Sequence, residues 1–201
     1  MAEPSQPEPM QWVLQTVRTH PRAAALLAVA ICLTLGLSYG MGLQFLELAL
    51  FGLDLLWLSL VDCDTRTIPD VGIAFAVVIR VAYLFAAGAL GVLDVVPALV
   101  TSALGAAGVF VVLLVLVLVV DRLMGAQSMG GGDLKLFAVA AFYFGWERCL
   151  ILMVLACALG LAFALLARVR DSAKNGGPFL EQTFPFGPAI ALATWAVALW
   201  A

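Results

Sequence analysis

Residues 97–120 contain no charged side chain and are rich in Val and Leu. As a helix rising about 1.5 Å per residue, such a run is about 36 Å long, enough to cross the ~30 Å hydrocarbon layer of a bilayer. No soluble fold would leave so long an apolar cylinder uncovered. The rest of the chain repeats the pattern: of 201 residues, 64% are hydrophobic and 11% charged, whereas soluble domains carry about 25% charged residues. The bilayer is therefore the solvent for much of this protein.

The same count predicts an all-α, polytopic bundle of about seven spans, at 23–41, 43–61, 71–93, 97–120, 134–146, 149–167 and 187–201. The fifth and sixth are divided at Gly145-Trp146-Glu147-Arg148, because a Glu-Arg pair is costly in hydrocarbon. Residues 1–21 are polar, with Pro4, Pro7, Pro9 and Pro21, and are expected to form a flexible cytoplasmic tail. Residues 22–201 are then one transmembrane domain. The first apolar run follows Arg18 and Arg22 as a signal sequence would, but it lacks an A-x-A cleavage site and is read as a retained span.

Lys and Arg set the orientation. With the N-terminus inside, Arg18, Arg22, Arg66, Arg122, Lys135, Arg168, Arg170 and Lys174 fall on the cytoplasmic side, and Arg148 alone falls outside. This asymmetry places the segments 62–70, 121–133 and 168–186 at the cytoplasmic face of the cell's inner membrane. The net charge of −3 and the absence of a basic patch argue against nucleic acid. The cysteines Cys32, Cys63, Cys149 and Cys157 form no C-x-x-C pair, and the single histidine, His20, stands apart, so no metal site and no cofactor is expected.

Two acidic motifs carry the chemistry. The first runs Asp62-Cys63-Asp64-Thr65-Arg66-Thr67-Ile68-Pro69-Asp70. The second is Met129-Gly130-Gly131-Gly132-Asp133-Leu134-Lys135. Asp62 ends the second span and Asp133 begins the fifth, on the same side of the bilayer. Two carboxylates brought close cannot easily both ionise, so one keeps a proton near neutral pH. The ionised partner takes a proton from water and the protonated one polarises a peptide carbonyl. No serine–histidine or cysteine–histidine system competes.

The glycines Gly130, Gly131 and Gly132 are expected to admit positive φ and the close approach of another chain. Such irregular backbone at membrane depth is tolerated where protein or a water-filled cavity covers it. Simpler roles are open for several residues. Asp133 fits a helix cap, and so does Asp70 after Pro69. Asp64 fits either a solvated turn or the site, and Lys135 either an interfacial anchor or a substrate contact. Asp62 resists a local explanation, because a helix C-terminus disfavours negative charge. Within the spans, Glu47, Asp54 and Asp62 share a helical face, and Arg80 is expected to pair with Asp54 in a structural role.

These motifs resemble those of the type IV prepilin peptidase family, among the G-x-G-D membrane aspartyl proteases. The family pattern is an Asp, six residues and Pro-Asp or Pro-Asn, followed by Met-Gly-x-Gly-Asp-x-Lys. Phe184-Pro185-Phe186-Gly187-Pro188 resembles its closing F-G-P element. The resemblance implies catalytic roles for Asp62 and Asp133. It also implies endoproteolytic removal of a short basic leader from prepilin-like substrates at the cytoplasmic face. Bifunctional members carry a cysteine-bearing domain after the first helix, tied to N-methylation. Here Gly42 joins the first span almost directly to the second, so peptidase activity alone is expected. A transporter or non-enzymatic secretion component using the intramembrane acids is the alternative.

Overall fold

A computed structural model describes residues 21–125, 129–172 and 185–200, and among them every regular element is an α-helix. These are α1 (Pro21–Tyr39), α2 (Leu43–Thr65), α3 (Asp70–Ala89), α4 (Val95–Met124), α5 (Gly131–Ser172) and α6 (Gly187–Trp200). By length and composition, α1 to α5 can each cross a membrane, while α6 is a shorter apolar helix. The protein is a multi-pass membrane protein. The expected tail, apart from Pro21, lies outside the described residues, as do residues 126–128, residues 173–184 and the Phe184 of the closing element.

The expected runs 134–146 and 149–167 are the two helical limbs of α5. This helix is interrupted at Gly145, whose φ of 79° and ψ of 171° lie outside the helical region. The interruption reverses the chain: Cys149 Sγ lies 3.4 Å from the Phe137 carbonyl. In an unbroken helix these residues would stand about 18 Å apart. The charged pair Glu147-Arg148 follows the reversal and is exposed.

The helices α2, α5 and α6 form the centre. Helix α2 packs on α1, α3 and α6, while α5 packs on α3, α4 and α6. Their facing side chains, among them Phe51, Leu58, Leu136, Phe137 and Ile190, are almost wholly buried. Lipid is as apolar as leucine, so helices in a bilayer associate by close packing and by polar contacts rather than by escape from water. Both devices are present. A Cβ added to Gly72 of α3 would meet Leu58 and Trp57 of α2 at 2.5 and 2.9 Å. Helix α1 is tied to α6 by the Tyr39 hydroxyl, which donates to the Ala198 carbonyl, and by Trp195 Nε1, which donates to Thr34 Oγ1 at 3.2 Å. The outward faces of α1 and α4 carry exposed leucines and valines, as a lipid boundary requires.

One expected contact is corrected. Arg80 pairs with Glu47, Nη1 to Oε1 at 2.8 Å, and not with Asp54. The register explains why. Gly72 lies against Leu58, so in an antiparallel pair Arg80 is level with Leu50. Glu47 and Asp54 then stand about one turn to either side, and the longer glutamate reaches the guanidinium. Asp54 is buried, and its Oδ2 has no hydrogen-bond partner among the described residues.

Candidate active site

The C-terminal end of α2 and the N-terminal ends of α3, α5 and α6 meet on one side of the bundle, and both acidic motifs lie there. Helix α2 continues to Thr65, one turn past the expected boundary, so Asp62 is held inside its last turn and is 5% exposed. The helix stops at Arg66, a non-glycine residue in the left-handed region (φ 55°), whose N–H donates to the Asp62 carbonyl at 2.8 Å. The short loop that follows is tied by a 2.9 Å bond between the hydroxyls of Thr65 and Thr67. Pro69 provides the N-cap of α3 with extended backbone and no side-chain bond.

Asp62 now has a local explanation that comes from another helix. Its Oδ2 accepts the N–H of Gly187, the first residue of α6, at 2.8 Å. The N–H groups of a helix's first turn lack intrahelical partners and carry the positive end of the macrodipole. Asp62 therefore caps α6 in trans, which offsets its unfavourable place near the C-terminus of α2. The approach is close: a Cβ on Gly187 would stand 2.8 Å from Asp62 Oδ2 and 3.0 Å from its Cβ.

Asp133 occupies the mirror situation within its own helix. It lies in the first turn of α5, half-buried, and its carboxylate accepts the N–H of Gly130. This is the reciprocal half of a capping box, in which the third helical residue reaches back to the N-cap amide. The carboxylates of Asp62 and Asp133 lie within electrostatic reach of one another. Two helix N-termini, those of α6 and α5, are thus aimed at two neighbouring carboxylates.

The remaining predicted site residues separate into those drawn in and those placed elsewhere. Gly132 belongs with the site: a Cβ there would meet the Ile68 Cβ at 2.8 Å, so the backbone of the second motif lies against the loop of the first. The expectation of positive φ at Gly130, Gly131 and Gly132 is corrected, because none of the three adopts it. Gly131 and Gly132 are simply the first helical residues of α5. Asp70 is the first residue of α3 rather than its cap, and its carboxylate pairs with the Lys135 ammonium on the exposed surface. Lys135 therefore joins the two motifs to each other. Asp64 is exposed beside them.

Sequence reasoning missed three contributors: Gly187 as the donor to Asp62, Ile68 as the residue packed on Gly132, and Glu47 as the partner of Arg80. Gly187 alone left a signal, since it stands in the Pro-Phe-Gly-Pro element at the start of the last apolar run. Among the described residues no group of His, Cys, Asp or Glu has the arrangement of a metal site.

Fold and site together define a polytopic helical membrane protein with two carboxylates gathered at the N-termini of two helices. The sequence profile of the type IV leader peptidase family matches residues 49–165, and the chain belongs to that family. It is 28% identical over 181 residues to a prepilin leader peptidase/N-methyltransferase of Aeromonas hydrophila, covering 88% of this chain and 55% of that relative. A protein of the same description from Pseudomonas putida is 30% identical over 164 residues, covering 81% of this chain and 52% of the relative. The chain thus spans about half the length of the curated relatives it matches. No solved structure matches it.

Proposed function

We propose that this protein is an aspartic endopeptidase of the inner membrane that removes a basic leader from prepilin-type precursors at the cytoplasmic face. Asp62 and Asp133 are its catalytic pair. The observation that carries the proposal is the convergence of these two buried or half-buried carboxylates, each held by the amide at a helix N-terminus, at one end of the bundle. The Lys and Arg asymmetry assigns that end to the cytoplasm. Membership of the leader peptidase family supports the reaction class.

The chemistry follows from a shared proton. One aspartate, ionised, takes a proton from a water, and the resulting hydroxide attacks the scissile carbonyl carbon. The other, protonated, donates to the carbonyl oxygen. As the tetrahedral intermediate collapses, the second aspartate takes its proton back from the hydroxyl it protonated, the C–N bond breaks, and the proton first taken from water passes to the leaving nitrogen. The exposed Gly130 and Gly131, which carry no side chain, let an extended substrate approach Asp133. Exposed Asp64, with Asp70 on the same rim, attracts a basic leader. Lys135 contributes by tying the rim together, within reach of a substrate that displaces Asp70.

The proposal covers cleavage alone. Residues 40–42 are all that separates α1 from α2, so no cysteine-bearing domain stands between these two helices. A transport role is less well supported, because the intramembrane cation Arg80 is already paired with Glu47 and the two key aspartates stand at helix ends. Co-expression with a panel of prepilin-type precursors tests the reading. Wild type converts a precursor to its mature form, while Asp62→Asn and Asp133→Asn each insert normally and leave it uncut. Undiminished cutting by either variant, or no cutting of any basic-leader precursor by wild type, rules the assignment out.

A further inference from the structure

At the end of α2 opposite Asp62, three helices meet on one buried cation. Arg80 of α3 gives Nη1 to Glu47 of α2 at 2.8 Å, with side chains 16% and 3% exposed. Its guanidinium lies 5.5 Å from the ring centroids of both Tyr83 and Tyr143. Tyr143 of α5 stacks on Phe51 of α2, with centroids 3.8 Å apart and planes 9° from parallel. The Tyr143 hydroxyl donates to the Ala76 carbonyl of α3 at 2.7 Å. Helices α2, α3 and α5 are thus pinned together at a single polar joint.

Stability alone is a weak reason for this joint, because the desolvation of a buried ion pair offsets much of its attraction. Nor does it touch the chemistry. Along the helix axes, Glu47 lies roughly 22 Å from Asp62 and Tyr143 roughly 15 Å from Asp133. The same three helices nevertheless carry Asp62, Asp70 and Asp133 at their other ends. Over a lever of roughly 20 Å, a tilt of about 3° moves the far end by about 1 Å, and a misplacement of that size costs on the order of 100-fold in rate.

We infer that Glu47 and Arg80 are positioning residues: their ion pair, clasped by Tyr143, is the joint that aims α2 and α5 so that Asp62 and Asp133 meet. The activity consequence rests on the peptidase reading, but the geometric one does not, and the test uses both.

The geometric arm replaces Asp62 and Asp133 by Cys in the full chain, in lipid bilayers, with Cys32, Cys63, Cys149 and Cys157 changed to Ala. A short bifunctional thiol reagent then joins the two positions. Adding Arg80→Met, or the near-isosteric Glu47→Gln, lowers the cross-linking rate about 5-fold or more, on the lever argument above. Loss of one partner of a buried pair is itself destabilising, so cross-linking is read well below each variant's thermal unfolding midpoint. The activity arm keeps both aspartates. Each variant lowers kcat about 10-fold or more with KM within about 2-fold, and the reversed pair Glu47→Arg with Arg80→Glu recovers most of the loss. Unchanged cross-linking in both single variants overturns the inference, as does full kcat in both. Slower cross-linking in a protein whose parent cuts no precursor upholds the joint and removes the peptidase reading instead.

Discussion

The backbone amide of Gly187 donates a 2.8 Å hydrogen bond to Oδ2 of Asp62, across 125 positions of chain. The bond fixes one carboxylate oxygen against the start of α6 and leaves the other for water or substrate. It also makes Gly187 intolerant of any side chain. In Gly187→Ala the new methyl would stand 2.8 Å from the oxygen it must spare, so the carboxylate is displaced. Peptidase activity falls on the order of 100-fold, as expected for a misplacement of about 1 Å. Cleavage of a prepilin-type precursor in membranes checks this, and near-normal cutting by Gly187→Ala contradicts it.

The contact between Gly132 and Ile68 couples the two motifs through packing. The closest atom to a Cβ on Gly132 is the Cβ of Ile68, at 2.8 Å. Gly132→Ala therefore pushes the 66–69 loop from α5 and lowers activity about 10-fold or more. Trimming Ile68 to Ala leaves the offending Cβ in place, whereas Ile68→Gly removes it. The double variant Gly132→Ala with Ile68→Gly recovers activity, and Gly132→Ala with Ile68→Ala does not. Equal recovery by both second changes would show that the pressure lies elsewhere.

The Asp70–Lys135 pair joins the same motifs by charge, on an exposed surface: its side chains are 74% and 44% exposed. Exposed pairs contribute about 0–1 kcal/mol, and salt screens them. Asp70→Asn changes unfolding free energy by less than about 1 kcal/mol, and the difference from wild type shrinks at high salt. Denaturant unfolding in detergent at low and high salt measures both. A loss well above that range would mean that the pair is more shielded than its exposure indicates.

Gly145 turns the chain between the two limbs of α5 in a backbone region open to glycine alone. A Cβ there would meet nothing within 4 Å, so Gly145→Ala tests backbone conformation without steric contact. It destabilises by about 1–3 kcal/mol. Gly108→Ala, equally open but helical, leaves stability unchanged or slightly raised. Thermal unfolding of the two variants side by side checks the difference, and equal midpoints refute it.

The helices themselves were legible because long apolar runs have one solution in lipid: every backbone amide must bond within its own segment. The break near Gly145 and the shared end of Asp62 and Asp133 followed from charge placement in the same way. Boundaries were less legible. Helix α2 reaches Thr65 rather than residue 61 because polar residues at a helix end continue the hydrogen-bonding pattern once they leave hydrocarbon. The cap expected of Asp70 failed for a different reason. Its side chain had two partners within reach, the α3 amides and a lysine 65 residues away, and the sequence names only the first.

The sequence by itself determined the class of protein, the membrane-crossing helices and the two acidic motifs, since each depends on local composition and on residues near in chain. Tertiary structure alone decided the partners: Gly187 for Asp62, Ile68 for Gly132, Lys135 for Asp70, and Glu47 rather than Asp54 for Arg80. Those choices depend on the register and rotation of packed helices. A shift of one turn moves a side chain by about 5.4 Å, farther than a hydrogen bond reaches, and hydropathy is almost blind to it.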